Sequence, residues 1–207
     1  MESAAHTTPA PRYRVTEASI LEAATAVFAA EGFDRARMVA IATRAGTTKP
    51  TLYARFGSKQ DLFAAAVQRE YELRRGRLFE AYETGDDLPF RERVRGWNAA
   101  YFDFVRERPD GFALITEGER HPAAAAIIER VANEIVERIA DLVVRTSRRR
   151  SREGARLVAA MITGMLTSCV REAVAHGHDI DDAEALCESF LHAALRGVDP
   201  QLIDAFG

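Results

Sequence analysis

Apolar positions recur every three or four residues through most of the chain, the pattern of helices that bury one face. Strict alternation of apolar and polar residues, which is typical of a half-buried strand, is scarce. The first apolar stripe follows Thr16, a residue that favours helix N-caps, and it stops before Gly32. We therefore expect an all-α protein whose first helix runs from residue 16 to about residue 31.

The stretch 38–63 predicts two short helices joined by a tight turn, with a third helix directly behind them. Gly46 can adopt the left-handed backbone conformation that follows a helix end. Thr48 supplies an N-cap oxygen to the second short helix, and Pro50 suits its first turn. The pattern is that of a helix-turn-helix whose second helix displays cationic, hydroxyl and aromatic side chains.

The third of these helices opens with Ser58-Lys59-Gln60-Asp61, a capping-box pattern in front of an apolar run. Apolar periodicity and the positions of glycine and proline place the remaining helices further along the chain. Their predicted ranges are about 58–84, 89–108, 111–119, 123–145, 152–176 and 182–197.

The charges are unevenly distributed along the chain. Residues 1–60 contain eight basic and five acidic side chains, a net charge of +3, so a formal charge of −3 for the whole chain leaves −6 on the remainder. Both lysines of the protein, Lys49 and Lys59, lie in the helix-turn-helix stretch. This asymmetry predicts an N-terminal part that binds a polyanion and a neutral-to-acidic part behind it.

Composition also indicates where the protein works. The two cysteines, Cys169 and Cys187, lack metal-ligand spacing, and we expect two free thiols in a reducing cytoplasm. Residues 1–11 contain no apolar core of a secretory signal. The longest charge-free apolar run, 157–170, is shorter than the ~20 residues needed to span a bilayer. We expect a soluble cytoplasmic protein with no membrane partner.

No pattern of residues predicts an enzyme. A nucleophile–base pair, a phosphate-binding loop and paired carboxylates are all missing, and the five histidines are scattered. The segment His176-Gly177-His178-Asp179 is more typical of a helix end than of a metal site. We therefore expect no catalytic residues, no cofactor and no metal.

The charge-free run 157–170 lies in a predicted helix that is apolar on all sides, so more than one side has to be covered. A chain of this size covers one side, and we expect a second subunit to cover the other; a monomer with a thick core is the alternative. The predicted dimer interface comprises Leu157, Met161, Gly164, Met165, Ser168, Leu186, Phe190 and Ala194.

The motif residues resemble the N-terminal DNA-binding domain of TetR-family transcriptional regulators over about residues 16–67. The residues that carry the resemblance are Gly32-Phe33, Ile41-Ala42, Ala45-Gly46, Thr48, Thr51-Leu52-Tyr53, Phe56 and Ser58-Lys59. Residues 1–15 are rich in alanine, threonine and proline, and we expect them to form a disordered arm. The resemblance implies a three-helix DNA-binding domain over 16–60 and a helical bundle over 61–207 for ligand binding and dimerisation. We call 16–60 the head and 61–207 the body.

The resemblance also implies roles for residues of the head. Lys49 is expected to donate to guanine O6 or N7, and Pro50 and Thr51 to contact a thymine methyl group. Phosphate contacts are expected from Thr48, Tyr53 and Lys59, and either kind of contact from Arg55.

The sequence departs from the family pattern at the start of the first motif helix. Family members usually place two hydroxyl residues where this chain has Ala36-Arg37. We expect Arg37 to replace the phosphate contact of those hydroxyls, and Asp34 to cap the helix instead.

By resemblance, the body binds a small apolar molecule that changes the separation of two heads. The expected function is a homodimeric repressor that such a molecule releases from a palindromic operator in double-stranded DNA. Two alternatives remain open, a regulator controlled by a protein partner and an architectural DNA-binding protein without a ligand. The predicted ligand contacts are Trp97, Tyr101, Phe104, Phe112, Glu117 and His121.

Overall fold

The computed structural model describes residues 15–84, 88–145 and 151–205, and every regular element within these ranges is a helix. The predicted all-α fold class is thus confirmed. The helices are α1 Glu17–Arg35, α2 Met38–Arg44, α3 Lys49–Phe56, α4 Lys59–Glu83, α5 Phe90–Glu107, α6 Pro109–Gly118, α7 Pro122–Arg145, α8 Arg152–His176, α9 Ile180–Gly197 and α10 Pro200–Asp204.

Helix α1 begins as predicted and ends later than predicted. Thr16 and Ser19 form a reciprocal capping box, in which each side-chain oxygen accepts the other residue's backbone N–H at 3.1 Å. Gly32 leaves the helical conformation with φ 75° and ψ 160°. Glycine adopts a positive φ without strain, so the break is confined to this residue. The chain resumes helical geometry after Gly32 and continues as far as Arg35.

The helix-turn-helix has the predicted geometry. Gly46 adopts φ 65° between α2 and α3. Thr48 Oγ1 accepts the Thr51 backbone N–H at 3.3 Å, and Pro50 lies in the first turn of α3. The expected cap of α2 by Asp34 is wrong, because the N-cap residue is Arg37 and no side chain bonds to the free N–H groups there. Asp34 itself belongs to the last turn of α1.

Aromatic rings pack the head against the start of α4. The Phe63 ring meets the Phe28 ring edge-on at 5.1 Å between centroids and the Phe33 ring at 5.0 Å. Ile41 of α2 and Leu52 of α3 are completely buried in the same core. Helix α4 continues without interruption past residue 60, the proposed boundary between the head and the body, so it physically connects the two parts.

The body is a helical bundle arranged around α4 and α8. Helix α4 packs on α5, α6 and α7, while α8 packs on α7 and α9, and α5 closes against α9. The short helix α10, which the apolar pattern does not predict, docks on α8 where Gly154 lies against Ile203. A Cβ atom at position 154 would clash with the Ile203 carbonyl oxygen, so glycine permits this contact.

Helix α8 begins and ends at the predicted residues and is followed by Gly177 in the left-handed conformation, φ 65°. In the described part of the chain, α8 is the one helix long and apolar enough to cross a membrane by length and composition, a test that core helices of soluble proteins also pass. Cys169 and Cys187 are free thiols, as predicted, and burial raises the pKa of Cys187 to about 12.

Candidate nucleic-acid interface and ligand cavity

Helix α3 turns one face into the head and leaves the other in solvent. Leu52 is completely buried beneath it. Lys49, Pro50 and Arg55 are exposed, and Tyr53 retains 40% of its accessible surface. The side chains expected to contact base edges therefore lie on the solvent-exposed face of α3. Docking of a helix in a major groove requires such an exposed face.

Several expected DNA-contact residues also have partners within the head. The Thr48 and Thr51 hydroxyls hydrogen-bond at 2.8 Å, which ties both to the cap of α3. Lys59 Nζ donates to the Asp34 carbonyl oxygen at 3.1 Å and lies 4.7 Å from the centre of the Phe33 ring. These contacts fix the positions of the three side chains before any DNA is bound.

The remaining cations of the head have no counter-ion in the described part of the chain. Arg35, Arg37, Arg44, Lys49 and Arg55 are exposed and take part in no ion pair there. In the body, by contrast, Arg77 pairs with Glu107 at 2.5 Å and other arginines are paired similarly. Unpaired cations on an exposed face are available to neutralise phosphates, the contact that dominates affinity for DNA.

A buried cavity of about 30 Å³ lies in the body between α4, α5, α7 and α8. Trp97 and Tyr101, two of the predicted ligand contacts, line it. An outer groove of about 200 Å³ between α5 and α9 shares Val94, Asn98 and Leu191 with this cavity. The two spaces are therefore neighbours that meet at Asn98.

The other predicted ligand contacts lie elsewhere. Phe112, Glu117 and His121 line an open groove of about 570 Å³ between the end of α1 and helices α6 and α8. Phe104 is buried and lines neither the cavity nor these grooves. Residues of α5 and α6 that were predicted to share one ligand pocket therefore line two different spaces.

Glu117 and His121 have structural partners at the contact between head and body. The Glu117 carboxylate accepts the Phe33 backbone N–H at 2.6 Å, beside the break of α1 at Gly32. The His121 ring packs 4.1 Å from the Phe33 ring and 4.9 Å from the Phe63 ring. These contacts join α6 to the head.

Sequence reasoning missed four polar residues of the buried cavity, Arg74, Asn98, Thr163 and Thr167. A signal was available for the first of them. The buried stripe of α4 includes Tyr71, Leu78 and Tyr82, and Arg74 occupies a position of that stripe where an apolar residue is the rule.

Comparison with known proteins identifies the architecture. The family model described as bacterial regulatory proteins, tetR family, matches residues 20–66, which contain the helix-turn-helix. The model described as tetracyclin repressor-like, C-terminal domain, matches residues 89–196, slightly more than half of the chain. The chain belongs to the TetR family. The members of this family are transcriptional regulators with a DNA-binding helix-turn-helix, not enzymes.

Individual relatives agree with this assignment. The HTH-type transcriptional activator FasR of Mycolicibacterium smegmatis is 35% identical over 130 residues, 62% of this chain, and the chain spans 58% of that relative's length. A TetR-like transcriptional regulator from Rhodococcus sp. RHA1 is 30% identical, with a TM-score of 0.67 over 88% of this chain and 96% of the other. The regulator FadR of Bacillus subtilis, solved in complex with stearoyl-CoA, shares the fold at 18% identity, with a TM-score of 0.75 over 89% of this chain and all of the other.

In this TetR-family chain, α8 and α9 expose large apolar side chains. Met161 is 64% exposed, Leu186 68% and Phe190 62%, and Leu157 retains 45% of its surface. Nothing lies within 4 Å of a Cβ atom built at Gly164. The predicted interface residues Ser168 and Ala194 are exposed as well, and Met165 is half-buried. Clustered apolar side chains of this kind mark an interaction surface.

A buried carboxylate links the head to the body. Glu70 of α4 is completely buried and accepts hydrogen bonds from Arg108 Nε at 2.6 Å, Arg69 Nη1 at 2.8 Å and the Thr25 hydroxyl of α1 at 3.3 Å. Hydrogen bonding to Glu70 raises the pKa of Arg108. Partial burial favours the neutral form of the nearby Glu22, but its bonds to Arg108 and Arg69 outweigh this and lower its pKa.

Proposed function

We propose that this TetR-family regulator is a homodimeric, sequence-specific repressor in the cytoplasm, released from a palindromic operator by a small apolar molecule. The observation that carries the proposal is the exposed apolar surface of α8 and α9 in a chain that has a single exposed reading helix, α3. A surface of this kind is covered when two copies pair, and pairing supplies the second reading helix.

Pairing also matches the requirements of DNA recognition. One helix-turn-helix module buries too little surface to select a single site in a genome, whereas two modules related by two-fold symmetry read two half-sites about one helical turn apart. The unpaired cations of each head would then be doubled along the duplex.

The position of the cavity supports control by a ligand. Arg74, Leu78 and Tyr82 of α4 line it, and the same helix carries Leu62 and Phe63 into the core of the head. A ligand that shifts α4 moves the head with it. The DNA is released if the ligand binds more tightly to a conformation in which the distance between the two heads no longer matches the operator. The typical coupling free energy between ligand binding and DNA binding is ~1–3 kcal/mol. The fold neighbour FadR, which binds stearoyl-CoA, supports an apolar effector.

Activation of transcription is a second candidate. The 35% identical relative is named a transcriptional activator. The same mode of DNA binding can repress or activate transcription, depending on where the operator lies relative to the promoter. A reporter driven by the bound promoter, with and without the regulator, separates the two candidates, because repression lowers its output and activation raises it.

The test of DNA binding is a mobility shift and DNase I footprint on DNA flanking the protein's own coding region. We expect a protected palindrome with two-fold symmetry that unrelated duplexes do not compete away. Protection of all duplexes alike would favour the architectural alternative, and no protection at micromolar protein would refute the DNA-binding role.

The test of ligand control adds a panel of apolar small molecules to the bound complex. We expect at least one of them both to release the DNA and to raise the melting temperature of the free protein. If no molecule does either, and a protein fraction from the same cells releases the DNA, the regulator is controlled by a protein partner instead.

A further inference from the structure

The buried cavity contains a cation without a counter-ion. Arg74 is 5% exposed, and within the described part of the chain it forms no ion pair and its Nε has no hydrogen-bond partner. Its guanidinium lies 4.4 Å from the centre of the Tyr71 ring and 5.7 Å from that of Tyr101. Ring faces attract a cation, but they replace only part of its lost hydration. A buried charge of this kind calls for an anion.

A second buried polar group lies in the same cavity. Asn98 is 1% exposed, and neither its amide nitrogen nor its amide oxygen has a hydrogen-bond partner in the described chain. Leaving both ends of a buried amide unsatisfied is unfavourable. Asn98 lines both the cavity and the outer groove, so a molecule that reaches Arg74 from the groove passes its amide.

Half of the residues that line the cavity are aliphatic, among them Ile135 and Ile139 of α7 and Ile162 and Leu166 of α8. The others include the rings of Tyr82, Trp97 and Tyr101 and the hydroxyl groups of Thr163 and Thr167, and Thr167 accepts a hydrogen bond from the Tyr101 hydroxyl at 3.4 Å. A site with an anchoring cation, one amide and mainly apolar walls fits a molecule with a single compact anionic group on an apolar chain. A sugar or a nucleotide is too large for a cavity of about 30 Å³.

The outer groove provides the way in. At its rim Arg95 of α5 and Glu188 of α9 form an ion pair at 2.6 Å. Arg95 is 70% exposed, and a pair this accessible contributes little stability and opens readily. The path to Arg74 therefore runs between α5 and α9, past Asn98.

We propose that Arg74 and Asn98 bind the carboxylate of a free aliphatic acid, whose chain extends from the cavity towards the outer groove. The proposal rests on the function proposed above, because it names the chemical class of the effector. Arg74 neutralises the carboxylate, the Asn98 amide donates to one of its oxygens, and Val94, Leu191 and Leu195 of the outer groove cover the chain.

Volume sets the length of the acid. The 200 Å³ of the outer groove corresponds to about seven waters of liquid, similar to the carbons of an eight-carbon acid beyond its carboxyl carbon, and the cavity of about 30 Å³ adds room for the leading atoms of the carboxylate. A coenzyme A ester does not fit this arrangement, because with its carbonyl group at Arg74 the bulky coenzyme A end would have to enter the small cavity as well.

The experiment is calorimetric titration of the DNA-free protein with three probes of equal chain length: octanoate, octanol and octanoyl-CoA. We expect octanoate to bind, octanol to bind at least about tenfold more weakly because it has no charge, and octanoyl-CoA not to bind. Equal affinity for the acid and the alcohol, or tighter binding of the CoA ester, would overturn the proposal.

Three variants assign the anchor. R74M should lose about tenfold or more in affinity for octanoate and leave octanol unaffected, while R74K should retain part of the difference. R75M is the matched control, since Arg75 neighbours Arg74 on α4 but pairs with Glu72 outside the cavity. Octanoate affinity unchanged in R74M, or reduced equally in R75M, would contradict the assignment.

The ligand-free variants supply an independent readout. Removing an uncompensated buried charge should leave the melting temperature of R74M equal to or above that of the wild type, so its loss of binding is not a folding defect. If R74M fails to fold, the three probes on the wild type still decide the proposal. The titrations contain no DNA, so their result is independent of the footprint experiment. If the protein protects DNA but does not bind octanoate, only this inference is refuted. If it binds octanoate but protects no DNA, only the DNA-binding role is refuted.

Discussion

At the scale of single residues, the partner of each charge indicates its function. Arginines of the body mostly meet carboxylates, and Glu70 is enclosed by Arg69 and Arg108. The exposed cations of the head, Lys49 among them, have no such partner in the described chain, and neither has the buried Arg74. The unpaired cations on the surface of the head are available to bind the phosphates of DNA, and the unpaired Arg74 in the cavity is available to bind an organic acid.

Lys49→Ala tests base reading by α3. If Lys49 donates to a guanine, the variant should lose about 1–3 kcal/mol on the operator and accept other bases at that single position. Mobility shifts on an operator series with one base pair changed at a time measure both effects. Arg44→Ala is the control, because Arg44 ends α2 and should act only through phosphates, weakening binding to all sequences equally. If Lys49→Ala lowered the affinity for all operator sequences equally, Lys49 would not contact a base.

Acid should weaken the ion pairs that Glu22 of α1 forms with Arg69 of α4 and with Arg108 between α5 and α6. Its pKa in the folded protein lies below the ordinary 4.5, so its ion pairs stabilise the fold above that pH and are lost as the pH falls through the lowered value. Glu22→Gln should therefore be less stable than the wild type at pH 7, and the difference should shrink in acid. Urea denaturation at about pH 7 and below about pH 4 measures it. A difference independent of pH would show that Glu22 acts by packing.

At the scale of elements, α4 performs two tasks. Its first turns complete the core of the head with Leu62 and Phe63, and its later turns line the cavity with Arg74 and Leu78. Between them, buried Glu70 ties α4 to α1 and to the start of α6. A helix held at both ends in this way transmits a displacement because it bends little.

Gly111→Ala tests how closely α6 packs on α4. A Cβ atom at this position would clash with the buried Glu70 carboxylate and disturb its ion pairs, so we expect a loss of about 1–3 kcal/mol in the free energy of unfolding. Gly96→Ala on α5 is the matched control, because nothing lies within 4 Å of its Cβ position. There the better helix propensity of alanine should stabilise the protein by up to about 1 kcal/mol. Equal effects in the two variants would argue against the close packing at Gly111.

At the scale of the whole molecule, the described chain leaves an apolar surface on α8 and α9 uncovered. Its central residues, Met161, Leu186 and Phe190, each expose more than three fifths of their surface. A helical regulator with one reading helix gains both a covered surface and a second reading helix by pairing through this region.

Phe190→Glu tests the pairing. Because Phe190 is exposed in the single chain, the variant should fold normally but sediment as a monomer, since the second copy would have to bury a charge. Operator affinity should fall with it. Leu73→Glu places the same charge on an exposed residue of α4, 41% accessible and outside this surface, and should leave the mass unchanged. A dimeric Phe190→Glu protein would locate the interface elsewhere.

The sequence by itself determined the local features of this protein. The spacing of apolar residues and the preferences of Gly46, Thr48 and Pro50 act within a few residues of the chain. The helix-turn-helix, the bounds of α8 and the TetR family could therefore be predicted from the sequence. Only the tertiary structure decided what distant helices bring together. Packing angles that no local pattern encodes decide the pairing of Glu70 with Arg108 and the presence of Arg74 and Asn98 on one cavity. They also decide the division of the predicted ligand contacts between two spaces and the docking of α10.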